Sequence, residues 1–409
     1  MSLDIERLRE IGHRRQYLYE RTTKMADLFP RPRDQNTEWD KVRQALQDGV
    51  AYNPQFQLPI VGGEHARLLQ DMRLFLDWLR PDPNMLQGRL EQAFWDIAHQ
   101  YYLDEQARSA CTPALLTEST AHEHGRPESD LVGVAWKSLR ALRDSRSTSV
   151  KPGNAPEPTL RSETLIYYIQ RLLKEAGWTD WRVVPVPKAP GLFTFLRHPE
   201  KLIKIRVGDK IPLPGIRRIL VDIAVTRLGR AENGEKNDHR LPSLLSDGFW
   251  GYSPTDFGLS RFWTEKLAGC YDPMALEEDT ACYIAADICL SGSFFDAFSA
   301  IQPYVGVDKA LELVTRLKRG FQDTALPGCF LYSIVYWKGY HAVKTHLQQH
   351  PEDLSILYVG KIGLADISLV RELLDAGVIE WPENKPEDIL AITQKIGNEI
   401  YNEQFSRHT

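Results

Sequence analysis

A chain of 409 residues, 43% hydrophobic and 26% charged, carries enough apolar side chain for two or more packed units and lacks the bias of a disordered chain. Its formal net charge of −5 excludes a chain that binds nucleic acid through overall charge, and no apolar run reaches the roughly 18 residues of a membrane span. Five cysteines (Cys111, Cys270, Cys282, Cys289, Cys329) form no CxxC pair, so they read as buried apolar side chains and not as a disulfide framework. The first residues, "MSLDIERLREIGHRRQYLYERTTK", are charged throughout and have no apolar core of a signal peptide; the expectation is a cytoplasmic protein.

The first half reads as helical. Apolar residues recur at helical spacing over 4–28 and 38–49, and again from His65 to Ala107, where Pro81 and Pro83 split the pattern in two. "ESDLVGVAWKSLRALRD" continues as a helix. "SRSTSVKPGNAPEPTL", Ser145 to Leu160, cannot build a core and reads as a linker. This divides the chain into a helical N-terminal domain, 1–150, and an α+β domain, 151–409. The second domain opens with the helix "RSETLIYYIQRLLKEAGW". Two strand-like runs follow, "WRVVPVP" and "KLIKIRVG", separated by a Gly/Pro turn. "GIRRILVDIAVTRLGRAENGEKN" is a helix from about Gly215, with Ile216, Ile219, Leu220, Ile223 and Ala224 on one face. From Met274 onward the chain is mostly helical.

Several segments together resemble one family. "AYNPQF", the strand pair before "GIRRIL", "ALEEDTACY", "TRLKRGFQDTALPGCFLYSIVYWKGYHAV" and "LYVGKIGLADISLVRELLDAGVI" occur in the order seen in the microtubule-associated tyrosine carboxypeptidase family, whose bacterial members are named after a QEGLA motif. The resemblance runs over roughly residues 50–380. It implies a metallopeptidase (zincin)-like α+β fold, mostly helical, behind the N-terminal helices. It also implies a zinc carboxypeptidase, with an HExxxH helix and a later glutamate as ligands. Two imidazoles and a carboxylate would hold Zn²⁺ and leave one position for water. Here the HExxxH window falls on Val221 to Thr226. Val221 and Thr226 replace both histidines, Asp222 replaces the general-base glutamate, and only the third ligand position survives, as Glu278. No histidine or cysteine lies between His198 and His239. The expectation is therefore a chain without a zinc cofactor.

Other residues remain as candidates. Asp222 sits in an apolar helical face, so it should be paired, either with Arg218 one turn back or facing Glu278 across the inherited cleft. Converging carboxylates would suit a basic group or a hard cation. Tyr336, in the family's Val-Tyr position, and Tyr332, where the family has lysine, read as packing residues or as cleft wall; Lys338 and His341 follow on the same helix. Arg316, Lys318, Arg319 and Lys344 make a basic set that reads either as a solvated face or as a dock for an acidic peptide. His346 and His350 share a helix face near Glu352 but read as surface histidines; "AHEHG" (His122 to Gly125) reads as a loop; His239 could approach the cleft.

The first reading is a zinc-less, catalytically degenerate family member that binds a peptide or small acidic ligand, or a protein partner, with no nucleic acid and no membrane. Asp222, Glu278 and Tyr336 form its inherited catalytic positions, and Arg319, Tyr332, Lys338 and His341 its ligand-binding ones. Two alternatives stand beside it. One is a divergent hydrolase or transferase using Asp222, Glu278 and the tyrosines, with or without a non-zinc metal. The other is an assembly protein whose cleft is plugged by side chains.

Overall fold

The computed structural model describes residues 3–25, 32–58, 65–110, 112–148, 159–188, 192–196 and 200–406. Helices dominate, with two small sheets, an α+β arrangement. The expected N-terminal helices appear as Ile5–Met25, Gln35–Gln47, His65–Trp78, Leu86–Ala110 and Ser129–Thr148, with the Pro81 and Pro83 break in place. The linker reading needs correction at both ends. Ser145 to Thr148 complete a helix, and Thr159 and Leu160 belong to a strand; residues 149–158 lie outside the described residues.

"AHEHG" is also no loop. It ends the helix Pro113–His124, which starts with Pro113 behind the Thr112 cap and stops at Gly125, φ 74°. This helix shows no apolar stripe because it buries hydroxyls. Thr117 Oγ1 accepts from the Cys329 amide at 3.0 Å, and Thr120 Oγ1 accepts from the Leu331 amide at 3.1 Å. Its partner is a stretch of backbone, so the usual hydrophobic periodicity is missing.

Strand β1 (Thr159–Arg161) pairs antiparallel with β5 (Lys210–Pro212). In the second sheet β2 (Arg182–Val186) lies parallel to β4 (Leu202–Arg206) and β3 (Phe193–Leu196) antiparallel to it, in the order β2-β4-β3. The two expected strands thus pair with each other. The supposed turn between them contains β3, whose Phe193 and Phe195 reappear in the cleft described below.

The next helical stretch runs from Leu213 to Glu235 in three pieces: Leu213–Leu220, a π-helical stretch Val221–Leu228, and Gly229–Glu235. At its end the Gly229 amide donates to the Ala224 carbonyl, five residues back. One extra residue per turn brings i and i+5 side by side, a geometry that concentrates at functional sites. The helix Ser253–Ala268 and the C-terminal helix Pro386–Ser406 pack against this segment.

Two buried clusters draw on both sides of residue 150. Leu8, Leu68 and Phe94 share one with Ile216, Val221, Ile223 and Ile396. Val42 and Leu139 share the other with Ile284, Phe298, Leu331 and Trp337.

Arg230 ties the fold around the π segment. Its fully buried guanidinium donates to the carbonyls of Leu357, Gly360 and Ile362 and to Asp256 Oδ1 at 2.8 Å. Asn233, one turn on, donates to the Tyr358 and Asn384 carbonyls. The "LYVGKIG" segment is therefore held through its backbone.

The helix Ser253–Ala268 crosses Val335–Gln349 at two glycines. A Cβ on Gly339 would stand 1.9 Å from the Pro254 carbonyl oxygen, and one on Gly258 2.3 Å from the Gly339 oxygen. These contacts are backbone and cannot swing aside, which explains the glycine of the Val-Tyr-x-x-Gly pattern. Gly339→Ala should lower stability by about 2–3 kcal/mol, read as a fall in the urea midpoint at unchanged slope.

Candidate ligand cleft

A cleft of about 870 Å³ opens between the π segment, the small sheet and the turn after Cys329. The π segment supplies Asp222, Arg227 and Leu228, β3 supplies Phe193, Thr194 and Phe195, and β4 supplies Arg206. Glu312, Thr315, Arg316 and Arg319 come from and just beyond the helix Val307–Leu317, and Phe330, Tyr332, Ser333 and Tyr336 from the turn and the helix after it. Trp39, Tyr19 and Gln35 enter from the N-terminal helices.

Asp222 pairs with Arg227 (Oδ2 to Nε, 3.3 Å), its i+5 neighbour across the π turn, and not with Arg218. An α-helix would have offered the residues three and four apart; the π turn replaces them. Arg218 lies 3.7 Å from Asp272 instead. The Arg227 guanidinium sits among three rings, 5.7 Å from Phe193, 5.4 Å from Phe195 and 4.8 Å from Phe257. Burial works against its charge, but Asp222 more than compensates and holds the group protonated.

Glu278 does not line the cleft. Arg316 holds it at 2.9 Å and Lys309 at 3.1 Å; Arg316 also reaches Glu312 at 2.6 Å. Burial alone would raise its pKa, yet the two cations bring it down to about 2. Asp279, in the place of the family's glycine, is equally committed. Arg261 donates to it twice, at 2.6 and 3.1 Å, and the Tyr271 hydroxyl once at 2.7 Å. Arg261 in turn lies over the Tyr336 ring at 4.5 Å.

The tyrosines are placed by buried polar hooks. The Lys318 ammonium, fully buried, donates to the carbonyls of Gly292, Leu326 and Gly328 and so fixes the Pro-Gly turn. Thr120 grips the amide just before Tyr332. Phe257 then touches both tyrosines, with ring centroids 5.7 Å from Tyr332 and 4.4 Å from Tyr336. Burial raises both phenol pKa values, so both hydroxyls keep their protons at neutral pH.

Other expected positions fall elsewhere. Lys338 pairs with Glu128 at 3.0 Å, and His341 meets Trp337 and Tyr340 edge-on; neither lines the cleft. Of the basic set, Arg316 and Arg319 face the cleft, Lys318 is internal, and Lys344 is paired with Glu265 at 2.8 Å. His346 binds Asp353 at 2.8 Å, His350 lies 3.6 Å from Glu352, and the exposed His239 contacts the Lys236 carbonyl. His124 is buried edge-on against Tyr332, and burial holds its pKa down to about 3, so it stays neutral. Cys282, Cys289 and Cys329 are buried and Cys270 is exposed; Cys111 lies outside the described residues. Arg227, Phe193 and Phe195 were missed in the sequence. The signal for Arg227 was an arginine five residues after Asp222, invisible at α-helical spacing.

These residues do not fit the zinc site that the resemblance implies. Val221 and Thr226 offer a hydrocarbon and a hydroxyl already bonded to the Asp222 carbonyl at 2.8 Å. Glu278 is neutralised by two cations. Among the described residues, no three His, Cys, Asp or Glu side chains gather closely enough to hold a metal ion.

Residues 226–397 match the family model described as microtubule-associated tyrosine carboxypeptidase. The match begins at Thr226, the last residue of the HExxxH window, and takes in Glu278 and both tyrosines. It is narrower than the resemblance over 50–380. No curated protein matches the chain. No helix among the described residues is long and apolar enough to cross a membrane.

The Glu278 ion pairs give an acid-sensitive stability. A depressed carboxylate pKa adds stability above the unfolded value, and that contribution fades as pH falls toward about 2. Glu278→Gln should therefore cost on the order of 2–3 kcal/mol near neutral pH and almost nothing near pH 2, measured by urea unfolding across that range.

Proposed function

We propose that this chain, whose residues 226–397 belong to the microtubule-associated tyrosine carboxypeptidase family, binds a peptide or small acidic ligand in its cleft without zinc and without the family's peptidase chemistry. On this reading a metallopeptidase-like domain, 151–409, stands behind a helical N-terminal domain, 1–150, and the protein works in the cytoplasm. The observation that carries it is the charge arrangement. Asp222 and Glu278, the carboxylates at the positions the resemblance marks, are each paired with arginine, and Arg206, Arg227, Arg316 and Arg319 line the cleft beside Asp222, Asp247 and Glu312, four arginines to three carboxylates. Glu278, held well below the usual carboxylate range by Arg316 and Lys309, is a poor general base. Arginines beside aromatic walls suit an anionic, partly apolar ligand. The volume of about 870 Å³ supports an open cleft over a plugged one. The family's name points to a peptide chain end as the kind of ligand to try first.

The test is calorimetric titration of the full chain with a short glutamate-rich peptide and with its glutamine counterpart. The acidic peptide should bind, more weakly as salt rises, and equally well with a chelator present. Arg316→Ala with Arg319→Ala should weaken it about tenfold or more. Binding that needs added zinc, or cleavage of the peptide, would overturn the reading.

A further inference from the structure

Arg227 carries more than its partnership with Asp222. Only its Nε is engaged there, and among the described residues its two terminal nitrogens donate to no acceptor. The side chain is 23% exposed and lines the cleft, so that unfilled end of the guanidinium is reached from the cleft. Phe193, Phe195 and Phe257 hold the planar group in place.

A second observation points to the same spot. Phe257 touches Arg227, Tyr332 and Tyr336 together, at 4.8, 5.7 and 4.4 Å. Three hydrogen-bond donors are thus gathered around one ring. Neither tyrosine hydroxyl bonds to a described residue, and both residues line the cleft. Asp222 engages one edge of the guanidinium, while its terminal nitrogens and the two hydroxyls have no acceptor among the described residues, an arrangement that suits an anion.

We propose that Arg227, with the hydroxyls of Tyr332 and Tyr336, forms a carboxylate-binding site in the cleft. The proposal rests on the cleft-binding reading above and names the group that the ligand presents. A carboxylate has two coplanar oxygens that match the guanidinium fork. Asp222 offsets much of the arginine charge, which favours a monoanion over a phosphate dianion. Phe193 and Phe195 then offer an apolar wall to the body of the ligand.

The experiment titrates the full chain with N-acetyl-phenylalanine, its amide, and inorganic phosphate, following tryptophan fluorescence and the guanidinium NMR signals. The free acid should bind with a shift at Arg227, and the amide about tenfold or more weaker. Arg227→Lys, which keeps the charge but loses the fork, should weaken the acid by a similar factor; Tyr336→Phe should weaken it severalfold. Equal binding of acid and amide, an unaffected Arg227→Lys, or tighter binding of phosphate overturns the assignment. Should Arg227→Lys fail to fold, Asp222→Asn with Arg227→Gln removes the pair without leaving a charge, and the wild-type ratio of acid to amide decides in any case. If the acid does not bind while the glutamate-rich peptide still does, this site falls and the cleft reading stands. If neither binds, both fall.

Discussion

The structure depends on one buried cation. Arg230 has no access to solvent, and its charge is tolerable only because three carbonyls and Asp256 surround it. Those partners belong to two separate stretches of chain, 357–362 and the helix that carries Asp256. The guanidinium therefore fixes the end of the π-helical stretch against the helix Ser253–Ala268 and against the 357–362 backbone. Phe257 is the neighbour of Asp256, so the same contact sets where Arg227, Tyr332 and Tyr336 can meet. Removing one partner from such a cluster leaves an uncompensated charge and costs far more than the cluster contributes relative to an apolar replacement.

Around that anchor three carboxylates each have an arginine. Asp222 has Arg227, Glu278 has Arg316, and Asp279 has Arg261. The departures from the family pattern are linked. Asp279 in place of glycine is tolerable because Arg261 and Tyr271 meet it, and Arg261 then supports the Tyr336 ring. Asp222 in place of glutamate is shorter, and the π turn brings Arg227 within its reach.

Much of the fold was legible because long amphipathic helices and alternating strands carry their own period. The Pro81 and Pro83 break, the helix Ser162–Glu175 and the pair β2 and β4 are examples. What was not legible depends on non-local partners. The helix Pro113–His124 buries threonines against backbone amides, so its inward face looks polar. Strand β3 is only four residues long, too short to show a period of its own. In the site, Asp222, Tyr332, Tyr336, Arg316 and Arg319 were legible as cleft residues from the family resemblance alone. Arg227 was not, because α-helical spacing puts it off the Asp222 face and nothing local announces a π turn. Lys338 and His341 were misplaced for the complementary reason: sharing a helix with Tyr336 does not mean sharing its face.

The central claim is that a protein-borne guanidinium, and no metal, is the fixed cation of this cleft. Crystals of the full chain grown with excess zinc, with anomalous diffraction collected at the zinc edge, test it most directly. The account predicts no anomalous peak in the cleft, with Arg227 seated between Asp222 and the phenylalanine rings. A stoichiometric zinc ion in the cleft, bound by side-chain ligands and with Arg227 turned away, would contradict it.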